Sequence, residues 1–259
     1  MGELVFIGLG LHDEKGLTLR GLEEARAADA VFAEFYTSAL AGAGPERVES
    51  LVGKRVLVLD RERVESGDEI LAAAKEHRVA FLVAGDPMVA TTHVDLRLRA
   101  AAKGIPTRIV HGVSVLTAVA GTLGLQAYKF GRTTTVPRPT AAFRPSSPVE
   151  AIAGNRGAGL HSLVLLDVLG DGTFLDPREA LEYLVDVARQ AKTDAIAVSA
   201  LACVVSRVGS PDVRAAAGSI GDLIERDLGP PPHTIVIPGQ LHFLEREALI
   251  AFAGAPHDI

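Results

Sequence analysis

The chain has 259 residues, of which 48% are hydrophobic, and a formal net charge of −6 at neutral pH. This length suits one large domain or two of ordinary size, and no apolar run reaches the roughly 18–20 residues that span a bilayer. The interspersed charges argue against direct nucleic-acid or membrane binding, which usually shows a basic patch. A single cysteine, Cys203, excludes an internal disulfide framework. Together with the lack of a signal sequence at the N-terminus, the single cysteine predicts a cytoplasmic protein.

Short apolar runs alternate with alanine-rich amphipathic stretches through the first half of the chain. They predict strands over residues 3–10, 30–35, 55–60, 78–86 and 106–114. They predict helices over residues 18–31, 66–77 and 92–105, the first with Thr18 as its N-cap. Strands that alternate with helices of this length indicate a mainly parallel sheet covered on both faces.

The second half is less regular. Residues 118–148 are rich in Gly, Pro, Thr and Ser and indicate a helix, a short strand and a long ordered loop. Beyond them we predict strands over 161–169, 194–206 and 233–241 and helices over 176–190, 218–228 and 242–254, with Asp176 as a cap and Pro177 at the first helical position. The fold class is therefore α/β, with two domains at 1–112 and 113–259.

Four loops at predicted strand ends could carry chemistry: Gly8-Leu9-Gly10, Gly85-Asp86-Pro87, His111 to Ser114, and Pro230 to Thr234. The glycine turn lacks the third glycine of a dinucleotide-binding fingerprint and can be purely structural. The proline makes G-D-P a rigid turn that can present a carboxylate, although this tripeptide is common. Ser114 can cap a helix, and a histidine after prolines can be exposed and inert. Taken singly, each loop leaves a structural role open.

Other kinds of active site are disfavoured. The histidines form no H-x-x-x-H pair and one cysteine cannot build a zinc cluster, so we expect no metal. The serine-hydrolase elbow G-x-S-x-G is missing. Asp86, His111 and Ser114 superficially suggest a triad, but nothing in their spacing supports it. Cys203 lies in an apolar strand-like run, which disfavours thiol catalysis. The pattern that remains is typical of a transferase with neither a nucleophile nor a metal.

The opening segment, residues 6–34, has a strand, a glycine turn, Asp13, Leu-Thr-Leu and a helix. Together with the G-D-P turn it resembles the tetrapyrrole-methylase superfamily, the class III S-adenosylmethionine-dependent methyltransferases. The sequence departs from the common G-P-G-D turn, since Leu11 and His12 replace the proline and glycine before Asp13. That departure points away from the porphyrin and cobalamin branches. Further segments resemble the diphthine synthase family, namely residues 34–38, 85–100, 111–137, 206–210 and 231–249.

The resemblance implies a homodimer of two-domain α/β chains, with mainly parallel or mixed sheets and S-adenosyl-L-methionine bent in the inter-domain cleft. Donor-binding positions carry over to eight residues: Leu9, Asp86, Val89, Ser114, Val115, Leu166, Val208 and His233. No catalytic side chain carries over. The main task in methyl transfer is in-line positioning, so we expect Asp86 and His233 to shape the donor site without a dedicated general base.

The same resemblance implies the reaction. The substrate would be translation elongation factor 2 whose target histidine already bears a 3-amino-3-carboxypropyl group. Its amino nitrogen would be methylated, in an archaeal enzyme up to the trimethylammonium form called diphthine. Two alternatives stay open: a C-methyltransferase acting on a tetrapyrrole or cobalamin precursor, and a non-catalytic adaptor that binds translation factors.

Overall fold

The computed structural model describes residues 2–140, 142–168 and 173–259. These residues form two compact units, the first ending at Val115 and the second beginning at Leu116. Within this described part of the chain, no helix combines the length and apolarity that a membrane span requires.

The first unit holds a sheet whose five described strands are all parallel, in the order β3-β2-β4-β1-β5. Its strands are β1 (Glu3–Gly8), β2 (Ala30–Glu34), β3 (Val56–Val58), β4 (Arg78–Val83) and β5 (Thr107–Val110). Its helices are α1 (Leu19–Ala27), α2 (Pro45–Val52), α3 (Arg61–Ser66), α4 (Asp68–Glu76) and α5 (His93–Ala102).

The central strands β1 and β4 are buried on both faces, which explains their uninterrupted apolar sequence. Val5 and Ile7 pack into one hydrophobic cluster, while Leu4 and Phe6 pack into another. Successive strand residues point to opposite faces, so these two clusters cover the two faces of the sheet. The prediction of a parallel sheet covered on both faces is confirmed here.

Helix boundaries in the first unit differ from prediction at two places. The helix predicted over 18–31 ends at Ala27, because the chain from Ala30 pairs as β2. The predicted N-cap of this helix is confirmed, since Thr18 Oγ1 accepts a hydrogen bond from the Gly21 N–H at 3.0 Å. The helix predicted over 66–77 begins only after Gly67, whose φ of +64° ends α3. Helices α2 and α3 were not predicted.

The second unit holds a mixed sheet of five described strands in the order β6-β7-β10-β8-β9. Its strands are β6 (Thr134–Val136), β7 (Ser162–Leu166), β8 (Leu201–Ser206), β9 (Arg214–Ser219) and β10 (His233–Ile237). Its helices are α6 (Val115–Leu123), α7 (Ser147–Gly157), α8 (Pro177–Gln190), α9 (Ile220–Glu225) and α10 (Phe243–Ala253). Strands β6 and β7 pair parallel and the other pairs are antiparallel. One parallel and one mixed sheet confirm the predicted fold class.

Several second-unit elements depart from prediction. The strand predicted over 194–206 begins at Leu201, because residues 194–200 form turns. Strand β9 was not predicted, and the helix predicted from residue 218 starts at Ile220, where β9 ends. The strand predicted over 161–169 ends at Leu166, and Leu169 lies outside the described residues. The prediction for α8 is confirmed, since the Asp176 side chain accepts from the Arg178 N–H at 2.8 Å.

Candidate functional site

The glycine turn after β1 and the G-D-P turn after β4 are joined through their backbones. The Gly10 N–H donates to the Gly85 carbonyl at 3.1 Å, and the Gly85 N–H donates back to the Gly10 carbonyl at 2.8 Å. Both glycines have positive φ, +72° and +74°, a conformation that other residues rarely adopt. Leu9 lies between the end of β1 and Gly10 and is completely buried. Two of the loops selected from the sequence therefore meet at the carboxyl edge of the first sheet.

The loop after β5 packs against the same two turns. A methyl group on Gly112 would lie 2.3 Å from the Gly85 carbonyl oxygen and 2.9 Å from the Gly8 carbonyl carbon. Since such contacts are far too short, only glycine permits this approach of backbone to backbone. Ser114 follows and is buried, and Val115 begins α6. Three strand-end loops are thus packed together, as expected for a ligand site in an α/β protein.

Asp86 is held in a fixed orientation at the centre of these loops. Its side chain is only 7% exposed, and its Oδ1 accepts a hydrogen bond from the Met88 N–H at 2.9 Å. The Val89 N–H donates to the Asp86 carbonyl at 3.3 Å, which closes the turn. The second carboxylate oxygen, Oδ2, lies 2.7 Å from Nδ1 of His111, whose side chain is 70% exposed. The structure therefore pairs Asp86 with His111, which sequence spacing gave no reason to expect.

A buried acid and a buried histidine lie beside the G-D-P turn. Glu34, at the end of β2, is fully buried and accepts hydrogen bonds from the Tyr36 and Thr37 N–H groups, both at 3.0 Å. His93, at the start of α5, is 1% exposed; its Nδ1 donates to the Pro87 carbonyl at 3.1 Å, and its Nε2 lies 3.8 Å from Glu34 Oε1. Burial raises the pKa of Glu34 and lowers the pKa of His93. His93 therefore connects the G-D-P turn to α5 as a neutral ring.

In the second unit, three positions selected from the sequence lie at one edge of the sheet. His233 begins β10 and pairs with Ser206, the last residue of β8, while Val208 lies in the turn that follows β8. On the other side of β10, Thr234 pairs with Leu165, which places Leu166 at the same end. The mixed sheet thus brings Leu166, Val208 and His233 to a common edge.

The ring of His233 is oriented by the backbone before β10. Its Nε2 donates to the Gly229 carbonyl at 2.9 Å. Burial lowers the pKa of His233, and the hydrogen bond to Gly229 opposes that effect. The imidazole contributes to the wall of a cavity of about 210 Å³. The other lining residues include Asp176 and Arg178 at the start of α8 and residues 225–229. A neutral, oriented ring suits a residue that shapes a binding site.

In the residues that the structure describes, no three His, Cys, Asp or Glu side chains cluster in a way that could hold a metal ion. The thiol of Cys203 is fully buried in β8, and burial raises its pKa to about 12. A thiol with such a pKa is a poor nucleophile at neutral pH.

The chain is similar to known proteins over nearly all of its length. A family model described as Tetrapyrrole (Corrin/Porphyrin) Methylases matches residues 3–224. The chain belongs to this family. It is 45% identical to a protein of Methanosarcina mazei named diphthine synthase, over 99% of this chain and 98% of that protein. It is 47% identical to a diphthine synthase of Halorubrum lacusprofundi, over 99% and 98%.

A solved structure agrees with these relatives. It is described as a crystal structure of diphthine synthase and superposes with a TM-score of 0.88 at 38% identity, covering 98% of this chain and 97% of the other. The resemblance inferred from the ordered motifs is therefore confirmed. The chain is an S-adenosylmethionine-dependent methyltransferase, and its relatives associate it with diphthamide biosynthesis. Membership of a methyltransferase family with full-length enzyme relatives argues against a non-catalytic adaptor.

Proposed function

We propose that this enzyme methylates the amino nitrogen of the 3-amino-3-carboxypropyl-histidine intermediate on translation elongation factor 2. S-adenosyl-L-methionine is the methyl donor, and successive transfers lead to the trimethylammonium form, diphthine. The observation that carries the proposal is the packing of the loops after β1, β4 and β5 at one sheet edge, in a chain 45–47% identical over its full length to proteins named diphthine synthase.

The chemistry asks for positioning more than for activation. A methyl group on a sulfonium is already electrophilic, and the thioether leaves without being protonated. Holding amine and methyl carbon in line can supply roughly 7–11 kcal/mol of the barrier. The tight backbone contacts at Gly10, Gly85 and Gly112 suit this demand, because they restrict movement of the loops.

We assign donor contacts to residues of both units. The first unit contributes the buried Leu9 and Asp86, the backbone at Val89, and the residues that lead into α6; the second contributes the edge at β7, β8 and β10. The complete set is Leu9, Asp86, Val89, Ser114, Val115, Leu166, Val208 and His233. Val89, Val115, Leu166 and Val208 are half-buried. Their side chains, with nearby backbone amides and carbonyls, suit an adenosine, whose ring is apolar on its faces and polar at its edge.

The assembly we propose is a homodimer that works in the cytoplasm, where its protein substrate is found. Sedimentation equilibrium should then give a mass near twice the chain mass of 27.1 kDa. A mass equal to that of one chain at assay concentrations would contradict the proposed dimer but would leave the proposed methyl transfer unaffected.

The decisive experiment supplies labelled donor to the purified enzyme with two candidate substrates in parallel. One is elongation factor 2 carrying the 3-amino-3-carboxypropyl-histidine, and the other is a precorrin. Label on the factor, with mass spectrometry showing up to three methyl groups on the modified histidine, supports the proposal. Label on the precorrin alone would instead indicate a C-methyltransferase. Factor with an unmodified histidine is the control and should remain unlabelled.

A further inference from the structure

In the proposed reaction, on which this inference rests, the substrate ammonium group must lose a proton in every round of methyl transfer. An amine attacks a methyl carbon only through a free electron pair, so an ammonium group must first lose a proton. Each transfer short of the quaternary product leaves a protonated amine again. An enzyme that adds several methyl groups therefore benefits from a base that is regenerated between rounds.

The Asp86–His111 pair has the geometry of such a base. A carboxylate is an acceptor, so the 2.7 Å contact assigns the proton of the neutral ring to Nδ1 and leaves Nε2 with its lone pair. Asp86 is itself fixed, because Oδ1 accepts the Met88 N–H. Tautomer and orientation of a catalytic histidine are commonly set in this way, by a buried carboxylate behind the ring.

Exposure separates His111 from His93, which lies beside the same turn, and from His233 of the second unit. His93 is buried, and His233 uses its Nε2 to donate to the Gly229 carbonyl. The His111 side chain is 70% exposed, while its carboxylate partner is 7% exposed. A ring in this setting can meet a substrate on one side and return its proton to water afterwards.

We propose that His111 is the general base of the reaction and that Asp86 positions it. The N–H bond of the substrate ammonium breaks, and its proton moves to Nε2 of His111, giving an imidazolium that the Asp86 carboxylate stabilises. The freed electron pair of the amine forms the N–C bond as the C–S bond breaks, and that electron pair stays on the sulfur of the departing thioether. Water then takes the proton from Nε2. The sequence led us to expect no dedicated general base; the contact between Asp86 and His111 is the reason for proposing one.

The test uses His111→Asn, because the asparagine amide can still donate to Asp86 but has no group equivalent to Nε2. In single-turnover assays with saturating donor, we expect a rate loss of about 100-fold at neutral pH, within the range usual for a lost general base. The loss should shrink as the pH rises, since the amine then deprotonates without help. Added imidazole should restore part of the rate, and donor affinity should stay close to that of the unaltered enzyme. His77→Asn, which alters an exposed histidine of the same unit, is the control and should react normally.

Two outcomes would overturn the assignment. One is a rate for His111→Asn comparable to that of the unaltered enzyme at neutral pH. The other is an equal loss at every pH without rescue by imidazole, which would indicate a structural role. Failure of the unaltered enzyme to label the carboxypropyl-bearing factor would be a different result: it would overturn the proposed function, and this inference with it.

Discussion

His93 shows how a single buried residue links loop structure to pH. Its Nδ1 donates to the Pro87 carbonyl, its ring packs edge-on against Phe81 with centroids 5.1 Å apart, and burial holds its pKa below the ordinary value of 6.5. In the unfolded chain His93 therefore takes up a proton near pH 6.5, whereas in the folded chain it takes up that proton only at a lower pH. Stability from this residue is complete above pH 6.5 and declines as the pH falls toward the lowered pKa.

We predict that His93→Asn flattens the pH dependence of the unfolding free energy below pH 6.5. Denaturant titrations of both proteins, from neutral pH down to about pH 5, measure the two slopes. Burial also lowers the pKa of His161 and His233, but these residues are common to both proteins. Glu34 acts in the opposite direction, because its pKa is raised and its contribution falls as the pH rises. Identical slopes would contradict the assignment of a neutral buried His93.

Residues that pair across long sequence distances set the limit of prediction from sequence. Asp86 and His111 were each singled out by their place after a strand, yet 25 residues separate them and no local pattern couples them. Their contact depends on β1 lying between β4 and β5 in the sheet. By contrast, the caps at Thr18 and Asp176 follow from neighbouring residues alone, and both were predicted correctly.

At the scale of elements, α10 is anchored by one buried carboxylate. Glu245 is completely buried and accepts hydrogen bonds from the Gln126 N–H at 2.9 Å, the His242 N–H at 2.8 Å and His161 Nε2 at 3.0 Å. Lys129 adds an ion pair. Burial works to raise the pKa of Glu245, but the hydrogen bonds from Lys129 and its other donors outweigh it and bring the pKa to about 2. The carboxylate therefore satisfies donors from the start of α10 and from the segment after α6.

We predict that Glu245→Ala lowers the unfolding free energy by about 3–5 kcal/mol, the usual cost of breaking a buried charged pair. The change leaves the Lys129 ammonium and two backbone N–H groups without their acceptor. Glu247→Ala, at an exposed position of the same helix, is the matched control and should have little effect. Because the folded pKa is depressed, the stabilisation is present above the ordinary value of 4.5 and disappears as the pH falls toward 2. Equal stabilities for the two variants would contradict this account.

Helices and strands were predictable where their own sequence determines their structure. They were missed where pairing with another strand determines it. Strand β9 reads RAAAGS, which has no β-branched residue, and it is extended because all six residues pair with β8. The helix predicted over 66–77 is present as α4 (Asp68–Glu76), but α3 before it was not predicted, and Gly67 with its positive φ separates the two helices. Buried apolar strands such as β1 and β4 were found readily, since both of their faces are covered.

At the scale of the whole molecule, the order of weak motifs carried more information than any one of them. G-D-P or a glycine pair alone is common, and each had an adequate structural explanation. Their succession from residue 6 to residue 249 predicted a family that full-length relatives confirm. The contacts of the donor stay a prediction, because they depend on groups contributed by residues far apart in the chain.

The proposed donor contacts include residues of the first unit and residues of the second, and each set can be tested by itself. We predict that S-adenosylhomocysteine raises the thermal unfolding temperature of the unaltered protein, and that Asp86→Ala in the first unit and His233→Ala in the second each diminish this rise. A ligand present at 100 times its Kd stabilises the folded state by about 2.7 kcal/mol, and a weaker Kd reduces that value logarithmically. Calorimetric titration gives the Kd directly and separates weaker binding from a lower intrinsic stability of the variants.

Controls for this prediction alter residues of the same type at exposed positions, Asp68→Ala in the first unit and His257→Ala in the second. Both should keep the full ligand-induced rise. If only Asp86→Ala weakened binding, the assignment of His233 as a donor contact would be wrong. If His233→Ala left the Kd unchanged while methyl transfer collapsed, His233 would act in the chemical step, contrary to its assigned role in binding. Asp86→Ala should slow methyl transfer as well as weaken binding, because Asp86 also positions His111.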